Sequence, residues 1–130
     1  MGETCPLCAS VTNSPLLASN QHAVAFFDAF PVSPGHALVV TRRHVADLFD
    51  VSPDEYAALW ALLPDLKAAV ERDHAPAGYN VGVNVREAGG QTVPHVHVHL
   101  IPRYEGDVPD PRGGVRWVLP ARAAYWSERV

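Results

Sequence analysis

The chain has 130 residues, of which 48% are apolar and 18% charged, and its formal net charge is −4 at pH 7. This length predicts a single domain (residues 1–130) that buries a core without disulfides, and the composition excludes an intrinsically disordered protein. The acidic balance argues against nucleic acid as a partner, and no apolar run approaches the roughly 20 residues needed to cross a membrane.

The first 20 residues are small, polar and rich in proline and serine, which predicts an irregular segment. They lack the basic and apolar regions of a secretory leader, so we expect a cytoplasmic protein. Cys5 and Cys8 are the two cysteines and form a Cys-x-x-Cys motif. In a reducing compartment this spacing indicates a metal site or a redox pair before it indicates a structural disulfide, and the spacing alone leaves the choice open.

Two apolar segments follow and predict a pair of strands. Residues 22–28 form a short apolar run, and residues 36–42 are apolar and β-branched, which favours a central strand. The proline- and glycine-containing stretch 31–35 between them is typical of a turn. Because the connection is short, we expect the two strands to pair antiparallel.

A long helix is predicted next. Ser52 can cap its start, Pro53 suits the first helical position, and Glu55 can close a capping box. Pro64 should kink or split the helix, whose end we expect near Asp73. The apolar residues that recur at helical spacing are Tyr56, Leu59, Trp60, Leu63, Leu66 and Val70.

The second half of the chain predicts two further paired strands. Residues 79–85 and 95–102 alternate between apolar and polar, and the glycine-containing stretch 86–92 between them predicts a loop. Residues 115–119 predict one more strand. The expected fold is therefore α+β, with a long helix packed on one antiparallel sheet.

The alternation of 95–102 places three histidines on one face of a strand. His95, His97 and His99 are each two residues apart, or about 7 Å along the strand. Imidazoles need partners for both ring nitrogens, so three of them are not placed together for packing. Two chemistries fit. A neutral imidazole such as that of His97 can attack phosphorus and form a phosphohistidine, and three histidines can also bind zinc.

The loop before these histidines suits a phosphate. Gly89 and Gly90 let backbone N–H groups approach a ligand closely, and Gln91 and Thr92 add side-chain donors. A loop of donors that leads into a row of histidines indicates an oligophosphate ligand.

Residues 90–103 read GQTVPHVHVHLIPR, which resembles the signature of the histidine-triad (HIT) superfamily, His-φ-His-φ-His-φ-φ with φ apolar. Asp28, the turn at 34–36 and the helix start at 52–55 also fall where that family has counterparts. The sequence around the triad most resembles that of Fhit-like diadenosine polyphosphate hydrolases, and other parts of the chain are similar to bacterial zinc-containing members. The resemblance implies an antiparallel sheet with one long and one short helix, and a homodimer.

The resemblance also implies an activity: a nucleotide-binding hydrolase or transferase that cleaves the α-phosphate linkage of dinucleoside polyphosphates or nucleoside phosphoramidates. His97 would be the nucleophile that becomes nucleotidylated, with His36 in support, and a nucleoside monophosphate would be released. The residues that would bind substrate are Asp28, Asn84, Gly90, Gln91, Thr92, Val93 and His99. The alternatives are a catalytically weak regulatory module, a phosphorylase-type nucleotidyltransferase, and a zinc hydrolase that uses all three triad histidines.

By resemblance to the zinc-bearing members, Cys5, Cys8, His44 and His95 would hold a structural zinc ion. The metal would tie the segment 1–20 to the sheet and leave His97 free for chemistry. The tail 106–130 carries aromatic residues that would either close the substrate site or pack on a second subunit. These are Trp117, Tyr125 and Trp126.

Overall fold

A computed structural model of the chain describes residues 4–128 and contains one five-stranded sheet. All its neighbouring strands pair antiparallel, in the order β1-β2-β3-β5-β4. The strands are β1 (Ala18–Ser19), β2 (Ala23–Phe27), β3 (Ala37–Thr41), β4 (Gly78–Val83) and β5 (His97–Arg103). The predicted α+β class and the antiparallel pairing of consecutive strands are confirmed. None of the described helices is long and apolar enough to cross a membrane.

The long helix α2 (Pro53–Glu71) begins where the sequence predicts. Ser52 Oγ accepts from the Glu55 backbone N–H at 3.1 Å, and Glu55 Oε1 accepts from the Ser52 N–H at 2.8 Å, so the capping box is closed. The helix runs through Pro64 as one element rather than splitting there. Its buried leucines, Leu59, Leu62 and Leu66, pack on the sheet, and each such burial stabilises the fold by roughly 1.5–3 kcal/mol.

The sheet is buried on both faces at its centre. One face of β3, including Val39, packs with Val98 and the leucines of α2, while the opposite face, including Val40, belongs to a second cluster. That second cluster contains Leu7 of helix α1 (Pro6–Asn13). Because β3 meets a helix on each face, all five of its residues are buried, which agrees with the predicted central strand.

Helix α1 lies in the segment predicted to be irregular. Pro6 occupies its first turn and Cys5 Sγ accepts from the Cys8 backbone N–H at 3.4 Å. The stretch is too short to show a clear apolar period, so no helix was predicted there. It is the short helix that the family resemblance implies, and a third helix, α3 (Tyr125–Glu128), ends the described chain.

The predicted strand at 115–119 is wrong. The structure has a 3₁₀ helix at Gly114–Val118, preceded by Gly113 with a φ of 96° and begun by Gly114 with a φ of 46°. These left-handed backbone angles turn the chain sharply, and Pro120 follows directly after Leu119. Further 3₁₀ helices cover Leu48–Asp50, Glu87–Gly89 and Pro120–Arg122.

Strand β5 begins at His97, two residues later than predicted. Its register pairs His97 with Val40 and His99 with Leu38. The His95 N–H donates instead to the Val93 carbonyl, and the Val96 N–H donates to the Val45 carbonyl outside the ladder. The first triad histidine therefore lies in the loop rather than in the strand, and its ring is fully buried.

Candidate functional site

The pleat of β5 separates core residues from site residues. Val98 and Leu100 are buried against α2, whereas His97 and His99 lie on the opposite face with their ring centroids 5.0 Å apart. These two histidines line a cavity of about 310 Å³, referred to below as the cleft. The predicted site residues that line the cleft are Asp28, Asn84, Thr92, Val93, His97 and His99.

The orientation of the His97 ring is fixed by a backbone carbonyl. His97 Nδ1 lies 2.7 Å from the carbonyl oxygen of His95. A carbonyl can only accept, so Nδ1 carries the proton of the neutral ring and donates. The lone pair is consequently on Nε2, the nitrogen that the backbone does not use.

His99 is held by a chain of hydrogen bonds through His36. The Val32 N–H donates to His36 Nδ1 at 3.1 Å, so the proton of neutral His36 is on Nε2. That Nε2 lies 3.0 Å from His99 Nδ1 and donates to it. His99 Nδ1 is therefore an acceptor, and the proton of the His99 ring is on Nε2. His36 thus lies behind His99 rather than in the cleft.

Burial keeps both hydrogen-bonded rings, those of His36 and His99, neutral. Burial, helped by the nearby His97 and His36 rings, lowers the pKa of His99 to about 4. Burial also lowers the pKa of His36, and the carboxylate of Asp28, whose Oδ2 is 3.4 Å from His36 Nε2, partly opposes that shift. His99 therefore presents a neutral imidazole N–H to the cleft.

Asp28 closes the turn at the end of β2. Its Oδ1 accepts from the Phe30 N–H at 2.9 Å, which leaves the carboxylate at the edge of the cleft. The exposed rings of Phe27 and Phe30 also line the cleft there. A carboxylate beside exposed aromatic faces can bind vicinal hydroxyls next to a planar base.

The loop that precedes the triad is shaped by Gln91 rather than offering it to a ligand. Gln91 Oε1 accepts from the Arg86 N–H at 2.8 Å, and its Nε2 donates to the carbonyls of Ala46 (2.7 Å) and Val93 (3.0 Å). Because both ends of the amide are occupied, the structure does not place Gln91 on the cleft. Gly90 adopts a φ of 93°, and a Cβ there would lie 3.9 Å from Asn84 Cγ.

Helix α1 contributes a wall of the cleft that sequence reasoning missed. Pro6, Leu7, Ser10 and Ser14 all line it. The helix itself carried no periodic signal, and only the Cys-x-x-Cys motif indicated that this segment packs on the sheet.

The four predicted metal ligands come together beside the cleft. His44 Nδ1 lies 3.2 Å from Cys8 Sγ, and His95 Nδ1 lies 3.5 Å from both Cys5 Sγ and Cys8 Sγ. All four donor atoms lie within 4.8 Å of one another. His95 Nε2 donates to the Thr41 carbonyl at 2.8 Å, which leaves the Nδ1 lone pair directed at the thiols.

This donor set fits a tetrahedral zinc ion. A structural zinc ion takes four sulfur or imidazole ligands at about 2.0–2.3 Å, and the tetrahedral geometry sets the distances between ligand atoms at roughly 3.3–3.8 Å. The cluster is a possible metal-binding group of that kind. Within residues 4–128 the three triad histidines do not form a common metal group, because His95 faces the cysteines while His97 and His99 face the cleft.

The chain belongs to the HIT family: residues 10–106 match the HIT domain. A relative from Schizosaccharomyces pombe, the asymmetrical bis(5'-nucleosyl)-tetraphosphatase, is 38% identical over 85 residues, which are 65% of this chain and 47% of the relative. An AP-4-A phosphorylase of Mycobacterium tuberculosis is 36% identical over 93 residues, 71% of this chain and 48% of the relative. The chain thus spans about half the length of either relative.

Among solved structures, a zinc-bound histidine triad family protein of Mycobacterium smegmatis superposes with a TM-score of 0.72 at 29% identity. The match covers 85% of this chain and 86% of that one. Its fold is therefore shared along most of the chain.

Proposed function

We propose that this HIT protein is a nucleotide hydrolase or transferase that cleaves the α-phosphate linkage of dinucleoside polyphosphates or nucleoside phosphoramidates. The observation that carries the proposal is the His97 Nδ1–H hydrogen bond to the His95 carbonyl, which leaves Nε2 as a lone pair in the cleft. The relatives named as a tetraphosphatase and as a phosphorylase support the substrate class.

In the first step His97 Nε2 attacks the α-phosphorus. A P–N bond forms, the bond from phosphorus to the leaving group breaks, and the leaving group departs with the bonding electron pair and takes a proton from solvent. The Nε2–H of His99 donates to a non-bridging phosphoryl oxygen, where it stabilises the developing charge. The Asp28 carboxylate binds the ribose hydroxyls, with Asn84, Thr92, Val93 and the Gly90 backbone around the phosphate.

In the second step water attacks phosphorus and gives up a proton to solvent, the P–N bond breaks with its electron pair returning to His97 Nε2, and a nucleoside monophosphate leaves with His97 restored to its neutral tautomer. Inorganic phosphate could replace water and would release a nucleoside diphosphate, as the name of the phosphorylase relative suggests. Both routes share the first step and differ only in the acceptor.

Cys5, Cys8, His44 and His95 would hold the zinc ion, and His95 O is also the atom that orients His97. Bound there, zinc supplies folding energy rather than a Lewis acid for the substrate. We further propose a cytoplasmic homodimer. Within residues 4–128, strand β4 is an edge strand, and its unpaired side is a surface on which a second subunit could pair.

The test is to incubate the protein with diadenosine tetraphosphate or adenosine 5'-phosphoramidate, each with and without inorganic phosphate, and to identify the products. The reaction is also quenched without acid, and the mass of the protein is measured by mass spectrometry. We expect an added mass of one nucleotidyl group on wild type and none on His97→Ala. Release of a nucleoside diphosphate only when inorganic phosphate is present would identify the phosphorylase route. Absence of turnover of every substrate would contradict the proposal and favour a nucleotide-binding regulatory module.

A further inference from the structure

Arg86 is the one non-glycine residue within 4–128 that has a positive φ, 65°, and its ψ is 171°. That combination of angles is essentially confined to glycine, and a residue with a side chain keeps it only where its surroundings hold it. Arg86 lies two residues after Asn84, which lines the cleft, and begins the segment 86–93, referred to below as the phosphate loop. The backbone strain is therefore at the start of that loop.

Hydrogen bonds across the phosphate loop hold the Arg86 backbone in this conformation. Its N–H donates to Gln91 Oε1 at 2.8 Å, and its carbonyl accepts from the N–H groups of Gly89 at 3.1 Å and Gln91 at 3.0 Å. Thr92 and Val93 follow directly and line the cleft. The placement of Arg86 consequently affects where the cleft-lining end of the loop lies.

The Arg86 side chain extends to the connection between β3 and α2. Its Nε donates to Asp47 Oδ2 at 2.6 Å, and Asp47 Oδ1 accepts from the Phe49 N–H at 2.8 Å. The Arg86 side chain is 75% exposed, whereas that of Asp47 is 11% exposed. Because Asp47 is held by its own 3₁₀ helix, it is a fixed anchor for the arginine.

This ion pair is the third of three successive contacts between that connection and the later part of the chain. The Val45 carbonyl accepts from the Val96 N–H at 2.8 Å, and the Ala46 carbonyl accepts from Gln91 Nε2 at 2.7 Å. The first contact lies beside the triad, and the second holds the loop near its end. The ion pair holds the start of the loop.

The ion pair acts on the cleft only through the loop. Of residues 4–128, those that line the cleft include Thr92 and Val93 but neither Arg86 nor Asp47. Arg86 is therefore not a phosphate ligand. A loop whose start was free would have to be ordered when a phosphate binds, and that loss of conformational entropy would weaken binding.

From these contacts we propose that Arg86 is a positioning residue, whose ion pair with Asp47 holds the phosphate loop in place for the phosphate group of the substrate. This inference rests on the proposed function, in which the loop surrounds the phosphate. A loop held in advance favours the bound substrate and the transition state equally, so the ion pair should act on KM rather than on kcat.

The experiment measures binding of adenosine 5'-monophosphate (AMP) and of adenosine to the full chain by calorimetric titration. Arg86→Ala should weaken AMP binding by about three- to fivefold, which is the scale of one exposed ion pair. Adenosine affinity should not change, since adenosine has no phosphate. In steady-state kinetics this variant should raise KM by a similar factor and keep kcat within about twofold of wild type.

Two further variants test whether the side chain acts through Asp47. Asp47→Asn should weaken AMP binding as much as Arg86→Ala does, and the double variant should lose no more than either single one, because all three remove the same contact. Arg86→Lys keeps the charge without the planar guanidinium and should restore part of the affinity.

Arg86→Gly separates the side chain from the strain. Glycine adopts this backbone conformation readily, so the variant should melt no lower than Arg86→Ala, yet it should bind AMP as weakly. The matched control is Arg43→Ala. Arg43 also pairs with a buried carboxylate, since its Nη2 lies 2.8 Å from Glu55 Oε1 and the two side chains are 59% and 6% exposed. We expect the control to lower the melting temperature and leave AMP affinity unchanged.

Wild-type AMP affinity in Arg86→Ala or Arg86→Gly would overturn the positioning role while the proposed function stands. Equal losses of AMP and adenosine affinity, the same loss in Arg43→Ala, or a fall in kcat at unchanged KM would overturn it too. Wild-type protein that turns over no substrate would contradict the proposed function, and the AMP and adenosine titrations would still decide whether Arg86 positions the loop. The two failures are therefore distinguishable.

Discussion

Two histidine clusters lie side by side on this protein and differ in which ring nitrogen keeps its lone pair. In the metal-ligand cluster, His95 donates from Nε2 to Thr41 O and directs Nδ1 at the cysteines. In the cleft, His97 donates from Nδ1 to His95 O and keeps Nε2 unprotonated. One backbone hydrogen bond per ring, made at opposite nitrogens, thus directs the lone pair of His95 at the cysteines and that of His97 at the cleft.

The most direct test of the difference between the two clusters is to remove one histidine from each. His97→Ala should lower kcat by at least about 10³-fold and leave nucleotide affinity within about tenfold, since the nucleophile is lost and the rest of the cleft is not. The measurements are steady-state kinetics and calorimetric titration of the nucleotide product. Full turnover by this variant would contradict the nucleotidyl-histidine mechanism.

His95→Ala is the counterpart. It should lower zinc content measured by mass spectrometry from about one equivalent to well below it, and lower the melting temperature, because a ligand and a buried core ring are both removed. His97→Ala serves as its control, with zinc content unchanged.

Removal of the metal itself tests whether zinc acts on folding. Cys8→Ser, or treatment of wild type with a chelator, should lower the melting temperature by roughly 5–15 °C, because the cluster joins α1 to the sheet. Thr12→Ser is a matched control on the same helix outside the cluster. A chelated protein that loses activity with an unchanged melting temperature would instead favour a catalytic metal.

Within the cleft, the His36–His99 hydrogen bond can be tested by its tautomer. His36→Ala should lower kcat by about tenfold with little change in KM, because His99 loses the donor that keeps its own proton on Nε2. Nitrogen-15 NMR of the His99 ring should show the shift from a single tautomer to a mixture.

His36→Gln, which can place an amide N–H near the position of His36 Nε2, should restore part of the activity. Equal loss in both variants together with an unchanged His99 spectrum would contradict a positioning role.

The sequence predicts the parts of this molecule that local patterns encode. Period-two alternation places His97 and His99 on one face and Val98 in the core, and the Ser52–Glu55 capping box marks the start of α2. Those features depend on residues within a few positions of one another. The predicted fold class follows from them.

Features that depend on long-range partners were not predictable. Gln91 is a donor in sequence, but its amide is bound to Ala46 O, 45 positions away. The contact between His36 and His99 spans 63 positions. Residues 115–119 contain two valines and were predicted to be a strand. The left-handed glycines Gly113 and Gly114 turn the chain there, and the segment forms a 3₁₀ helix instead.

The smallest effect we predict is on stability at acidic pH, and it tests whether the His99 ring stays neutral in the folded protein. The unfolded chain protonates a histidine near pH 6.5, whereas the folded protein holds the pKa of His99 at about 4. Between these values the unfolded state binds more protons, so the free energy of unfolding should fall as the pH is lowered from about 6.5 to 4. The groups that face His99 are His36 and His97, with Asp28 nearby. His99→Gln removes this titration and should flatten the decline, as measured by urea unfolding across that pH range.

Glu55, whose pKa the Arg43 guanidinium lowers to about 2, is the contrasting site, because Glu55→Gln should change stability mainly between pH 4.5 and 2. A His99→Gln curve parallel to wild type above pH 4 would show that the ring is already charged in the folded protein, and the donor role assigned to its Nε2–H would then have to belong to an imidazolium.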